Sequence, residues 1–217
     1  MAARRYALAV PLDLQELVAP GHTALVLQEV QQGVVGEHSA LPALADSAAA
    51  VGLVDHCAQL AAAARKVGVP VVHCTAVTRD DMLGANRNAR LFLGVRKSPV
   101  MLSPGSDAVQ PPDAIGVDAG DLLLPRHHGI GPMSGTEVDP ILRNLGVTTI
   151  VGVGVSLNIG MQNFAFDAVN LGYQFVMPRD AVAGVPPEYG EAVLQNTLSL
   201  LVTLTTTADV LAAWGAA

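Results

Sequence analysis

The run from Val147 to Gly160 (VTTIVGVGVSLNIG) restricts this chain more than any other stretch of it. An unbroken series of β-branched and small apolar residues makes a strand that is apolar on both faces, and a parallel sheet covered by helices on either side is what buries such a strand. Glycines at 152 and 154 are expected to break the strand, with a helix following from about Asn158 to Asn170. A strand that passes through a glycine-rich turn into a helix is part of a βαβ unit. The helix's first N–H groups then face outward over the carboxyl edge of the sheet, where open α/β folds bind their ligands.

The remaining chain supplies the other layers. Thr23 to Val30 (TALVLQEV) reads as a central strand, Val69 to Thr75 as a second, Asp121 to Pro125 as a third, Tyr173 to Met177 as a fifth and Leu201 to Thr206 as a sixth. Helices are predicted over Asp46 to Lys66, Thr136 or Glu137 to Asn144, Pro187 to Leu200 and Ala208 to Trp214. In the first of these, Leu53, Cys57, Leu60 and Ala64 recur at helical spacing on one face. Strands alternating with helices specify a three-layer α/β/α fold with a six-stranded, mostly parallel, Rossmann-like sheet. Residues 1–217 read as a single domain. Residues 1–22 form an irregular arm, and residues 77–120, rich in Pro, Gly and Asp, form an irregular cover with a short helix near Arg87 to Val95.

Charge excludes several classes of partner. A net charge of −7 disfavours nucleic acid and anionic membrane surfaces. Charged residues make up 14% of the chain, against about 25% in ordinary soluble domains, which points to a face covered in a homodimer or larger homo-oligomer. No apolar run reaches the ~18 residues that span a bilayer. The apolar piece after Arg4 and Arg5 is broken by Pro11 and Asp13, so a cytoplasmic location is expected. Cys57 and Cys74 sit inside regular elements and do not suggest a disulfide framework. His127 and His128 are adjacent, so their side chains diverge, and neither a metal nor an organic cofactor is expected.

Three pieces, in order, resemble the isochorismatase-like hydrolases, the superfamily of nicotinamidases, carbamoyl-amide hydrolases and true isochorismatases. Leu27-Gln28-Glu29-Val30-Gln31 resembles its apolar strand followed by Asp-x-Gln. His127 through Gly135-Thr136-Glu137-Val138 to Leu142-Arg143-Asn144-Leu145-Gly146 resembles its Lys…Gly-Thr-x-Leu…Leu-Arg-x-Leu-Gly segment. Gly154 to Gly160, followed by Asp167-Ala168 and Gly172-Tyr173, resembles its nucleophile turn and helix. The resemblance implies a catalytic set at Glu29, His127 and Gly160, where most of the superfamily has Asp, Lys and Cys. It also makes Gln31, Arg87, Arg90, His128, Ser156 and Asn158 candidate substrate-binding residues, Arg87 and Arg90 as partners for a carboxylate.

Glycine at 160 removes the thiolate, and with it a thioester route at that position. The isochorismatase branch also carries glycine there and cleaves a vinyl ether, which needs a protonated carboxyl group rather than a nucleophile. Glu29 at the end of an apolar strand is such a group, kept protonated by desolvation. It is one methylene longer than Asp, about 1.5 Å of extra reach. His127 is expected to pair with Glu29, and the Gly160 N–H to meet an anion. Ser156 and Val77 stand where true isochorismatases have an aromatic residue and a Gln. The sequence therefore supports a hydrolase acting on a small carboxylated metabolite by acid/base chemistry, vinyl-ether hydrolysis foremost. Two alternatives stay open: an inactive family member that binds a small molecule or serves an oligomer, and amide hydrolysis by activated water.

Overall fold

A computed structural model describes residues 13–216. Its seven-stranded sheet runs in the order β3 (Leu122–Arg126), β2 (Val71–Ala76), β1 (Thr23–Gln28), β4 (Thr149–Val155), β5 (Gln174–Pro178), β7 (Thr203–Thr205), with β6 (Val182–Ala183) pairing with the end of β4. Every pairing is parallel. The expected sheet is thus present with one strand more. The two-residue β6 is too short to show in a sequence pattern.

Helices cover both faces. α3 (Pro42–Ala50), α4 (Leu53–Val67) and α9 (Thr207–Ala213) pack with Leu25, Leu27, Val151 and Val153 on one side. α6 (Val138–Asn144), α7 (Gly160–Asn170) and α8 (Pro187–Asn196) pack with Ala24, Val26, Val72 and Ile150 on the other. β1 is buried at all six positions, as an apolar strand between two helical layers must be. Leu53, Cys57, Leu60 and Ala64 are completely buried, so the helical spacing identified the inward face correctly.

Several boundaries differ from the sequence reading. The single helix from Asp46 to Lys66 is two, because Gly52 takes a left-handed φ of 64° and turns the chain between α3 and α4. β4 is not broken at Gly152 and Gly154. It pairs with β1 through both, Val26 against Gly152 and Gln28 against Gly154. Gly152 leaves room for the Phe175 ring, which meets Phe164 edge-on at 4.9 Å. Four residues of turn, 156–159, separate the strand from α7, which starts at Gly160 rather than Asn158. The irregular arm lies partly outside the described residues. Within them, α1 (Leu14–Leu17) and a 3-10 turn at Pro20–His22 replace irregular chain, and the Trp214 indole N–H donates to the Val18 carbonyl at 2.8 Å. Residues 77–120 hold the short helix α5 (Arg90–Val95) and a 3-10 turn at Asp107–Val109.

Gly154 is the tightest point of the β1–β4 contact. Its φ is 118°, and a Cβ there would run into the backbone of Gln28. Gly154→Ala is expected to lower the unfolding free energy by at least about 2 kcal/mol, the scale of one strained non-glycine position, read from urea midpoints.

Candidate active site

Crossovers from β1 lead outward to β2 and β3 on one side, and β4 lies on the other, so the strand order reverses beside β1. A cavity of ≈ 140 Å³ opens at the carboxyl ends of these strands, where doubly wound sheets place their ligands. Glu29 follows β1, Arg126 ends β3, Ser156 opens the turn after β4 and Gly160 begins α7; all four line it.

Glu29 is the carboxyl group of the cavity. It is its one acidic lining residue among those described, and its side chain is 19% exposed. Its backbone is left-handed, with φ of 52°, an uncommon conformation for a residue with a side chain and one that costs on the order of 1–3 kcal/mol. The Glu29 N–H donates to the Cys74 carbonyl at 2.8 Å, which ties this corner to β2. Met82, the other described non-glycine residue with positive φ, lines the same cavity.

Arg126 is the partner of Glu29. One guanidinium nitrogen, Nη2, donates to Glu29 Oε1, and the other, Nη1, donates to the carbonyls of His128 at 2.9 Å and Gly129 at 2.5 Å. The pair is poorly solvated, with Arg126 8% exposed. Burial lifts the Glu29 carboxyl above the ordinary range for glutamate, and the guanidinium pulls against that rise.

This corrects the expected pairing of Glu29 with His127. His127 lines the cavity but is exposed, and no hydrogen bond joins it to Glu29. The physical reason is strand alternation. Leu122 and Leu124 pack toward the α6–α7 layer, so Arg126 points in with them, whereas His127 falls in step with the exposed Leu123 and Pro125. Ending the strand at Pro125, as the sequence pattern does, hides that phase.

The other expected residues divide. His128 and Ser156 line the cavity, and His128 Nε2 lies 3.2 Å from the Gly135 carbonyl. Gln31 does not line it: its fully buried amide accepts from the Ala76 N–H at 2.6 Å and donates to the carbonyls of Ala76 and Ala108, clamping β2 to the 3-10 turn. Asn158 accepts from the Val185 N–H at 3.4 Å instead of facing the cavity. Arg87 and Arg90 are exposed and lie outside the lining. Besides Arg126, sequence reasoning missed Asn86, whose Oδ1 accepts from the Gly129 N–H at 2.8 Å, and an apolar wall that includes Leu44, Leu91, Phe92 and Leu102.

At the start of α7 the Gly160 N–H meets no backbone carbonyl among the described hydrogen bonds, and the helix dipole adds positive character there. A Cβ at Gly160 would sit 3.2 Å from the Val155 carbonyl. Neither cysteine lines the cavity, and both are buried. Burial raises both thiols far above their usual range, that of Cys74 to about 12.

Comparison with known proteins identifies the family and the fold. The family model described as Isochorismatase domain matches residues 23–209. An uncharacterized isochorismatase family protein of Escherichia coli O157:H7 is 30% identical over 166 residues, 76% of this chain and 82% of that protein. Another, of Bacillus subtilis (strain 168), is 38% identical over 81 residues, which cover 37% of this chain and only 42% of the relative. Among solved structures, a cysteine hydrolase from Pseudomonas syringae pv. phaseolicola 1448A superposes with a TM-score of 0.79 at 21% identity, covering 92% of this chain and 95% of that one.

Removing the cation should expose the cost of burying Glu29. Arg126→Met is expected to destabilise the protein by about 3 kcal/mol at neutral pH, the scale for breaking a buried pair. Because the folded state already favours the protonated carboxyl, the loss should be smallest in acid and grow as pH rises past the ordinary glutamate range. Urea titrations across pH 4 to 8 check the sign, and Glu29→Gln in the same background should recover part of the loss.

Proposed function

The chain belongs to the isochorismatase family, and on that premise we propose that it is a hydrolase that uses Glu29 as acid and base, with water rather than sulfur as the attacking group. One observation carries the reading: a single carboxyl group, raised by burial and backed by a guanidinium, borders a cavity at the carboxyl edge of the sheet. The position where the family resemblance puts a cysteine nucleophile is Gly160, at the start of α7, and neither of the two buried cysteines lines the cavity.

Vinyl-ether cleavage suits such a site. The Glu29 carboxyl gives its proton to the vinyl carbon, whose π electrons form the new C–H bond and leave an oxocarbenium ion. Water adds to the neighbouring, oxygen-bearing carbon of that ion and returns a proton to the Glu29 carboxylate, which Arg126 stabilises in the interval. The hemiketal then breaks its other C–O bond, its hydroxyl proton passing to the departing oxygen by way of His127, and a carbonyl compound and an alcohol leave. The Gly160 N–H supports negative charge on that oxygen.

A second reading has its own support. Glu29 already holds Arg126, so the pair is able to serve as a fixed wall of a binding pocket without turnover. Product detection across a panel of vinyl ethers, amides and ureas separates the two. The hydrolase reading expects Glu29→Gln to lower kcat/KM by about 10³-fold, within the usual range for a general acid, and His127→Ala to lower it by about 10²-fold, the low end of that range. The Cys57→Ala, Cys74→Ala double variant should retain turnover. Because the acid must be protonated, the rate should fall as pH rises through the raised Glu29 pKa. Turnover untouched by Glu29→Gln refutes the role of Glu29, and no product from any substrate favours the binding reading.

A further inference from the structure

The charges around the cavity cancel. Arg126 is its only lysine or arginine among the described lining residues, and Glu29 its only acid, and they are bonded to each other. The other hydrogen bonds of Arg126 go from Nη1 to the carbonyls of His128 and Gly129, so both terminal nitrogens of the guanidinium are engaged. A carboxylate entering this space would have to share that one cation with Glu29, putting two carboxylates in one poorly solvated corner. Arg87 and Arg90, the residues that made a carboxylated substrate attractive from the sequence, stand outside the lining.

Most of the remaining wall is apolar, with Thr78, Asn86, His127, His128 and Ser156 as its other polar side chains. Leu44 of α3 and Leu102, a residue of the cover that packs into the core, are 6% and 7% exposed. From the cover, Leu91, Phe92 and Val95 of α5 border the cavity, yet no residue of α5 is buried. Three apolar side chains of a six-residue helix are therefore turned to the cavity without being sealed into the core. Its ≈ 140 Å³ is close to the roughly 150 Å³ of an engineered apolar cavity that takes up benzene.

We propose that the cavity binds an uncharged molecule with an apolar body on the scale of one six-membered ring and a single polar group presented to Glu29, and that it rejects carboxylates. This rests on the cavity being the substrate site, but not on turnover. Benzyl alcohol and benzoate test it directly, because they share a ring and neither is hydrolysed.

Titration calorimetry on the full chain at pH 8, where an ordinary imidazole is neutral, should find benzyl alcohol bound at least about 100-fold more tightly than benzoate, the cost of burying an unpaired carboxylate. Phe92→Ala should weaken benzyl alcohol about 10-fold through the lost ring contact. Leu93→Ala, 49% exposed and outside the lining, should leave binding unchanged. Glu29→Gln is diagnostic of the charge logic. It frees the Arg126 cation and should strengthen benzoate at least about 10-fold, with no such gain for benzyl alcohol, whose hydroxyl then meets an amide in place of the carboxyl group. Benzoate binding as tightly as benzyl alcohol to the wild type overturns the proposal, as does failure of both to bind. An empty hydrolysis panel alongside the expected selectivity would remove the hydrolase reading and leave this one standing.

Discussion

The burial of one carboxyl group against one guanidinium organises the cavity at the carboxyl edge of the sheet. Glu29 and Arg126 are contributed by strands that are not neighbours, with β2 between them. Each is acceptable in that setting only because of the other, since a lone buried charge is far more costly than a bonded pair. The contact consequently fixes how β1 and β3 finish relative to each other. It also orders the loop after β3, because the same guanidinium holds the carbonyls of His128 and Gly129.

Around this pair the fold supplies position rather than chemistry. The parallel β1–β4 ladder brings the Glu29 corner and the turn into α7 to the same edge, and Gly154 allows the two backbones to close together. Gln31, fully buried, links the end of β2 to the 3-10 turn at Asp107–Val109. The cavity is thus walled by regular elements below and by α5 above. An apolar surround of that kind strengthens whatever electrostatic interaction is made inside it.

Much of the architecture was legible in the residues, and the reasons are specific. Leu53, Cys57, Leu60 and Ala64 recur at a spacing that only a helix puts on one face, and all four are inside. The apolar run of β1 required cover on both faces and has it. The break at Gly52 was not legible, because a lone glycine in an alanine-rich helical pattern reads equally as a tolerated residue or a turn. The site was half legible. Glu29, His127, His128, Ser156 and Gly160 border the cavity, while Gln31, Arg87, Arg90 and Asn158 do not. Arg126 was lost by one position: the alternation of Leu122, Leu124 and Arg126 holds the answer, but a strand read as stopping at Pro125 gives no phase for the next residue. The left-handed backbone of Glu29 has no signal in sequence at all, since glutamate rarely adopts it.

That backbone has an evolutionary corollary for anyone engineering this chain. Position 29 combines an unfavourable φ with an expensive buried carboxyl. Glycine there would relax the main chain, though it would also orphan Arg126. In a background where Arg126 has been neutralised as well, a screen scoring only resistance to heat would be drawn to this position. It would then converge on hardier molecules that have lost the group around which the pocket is arranged.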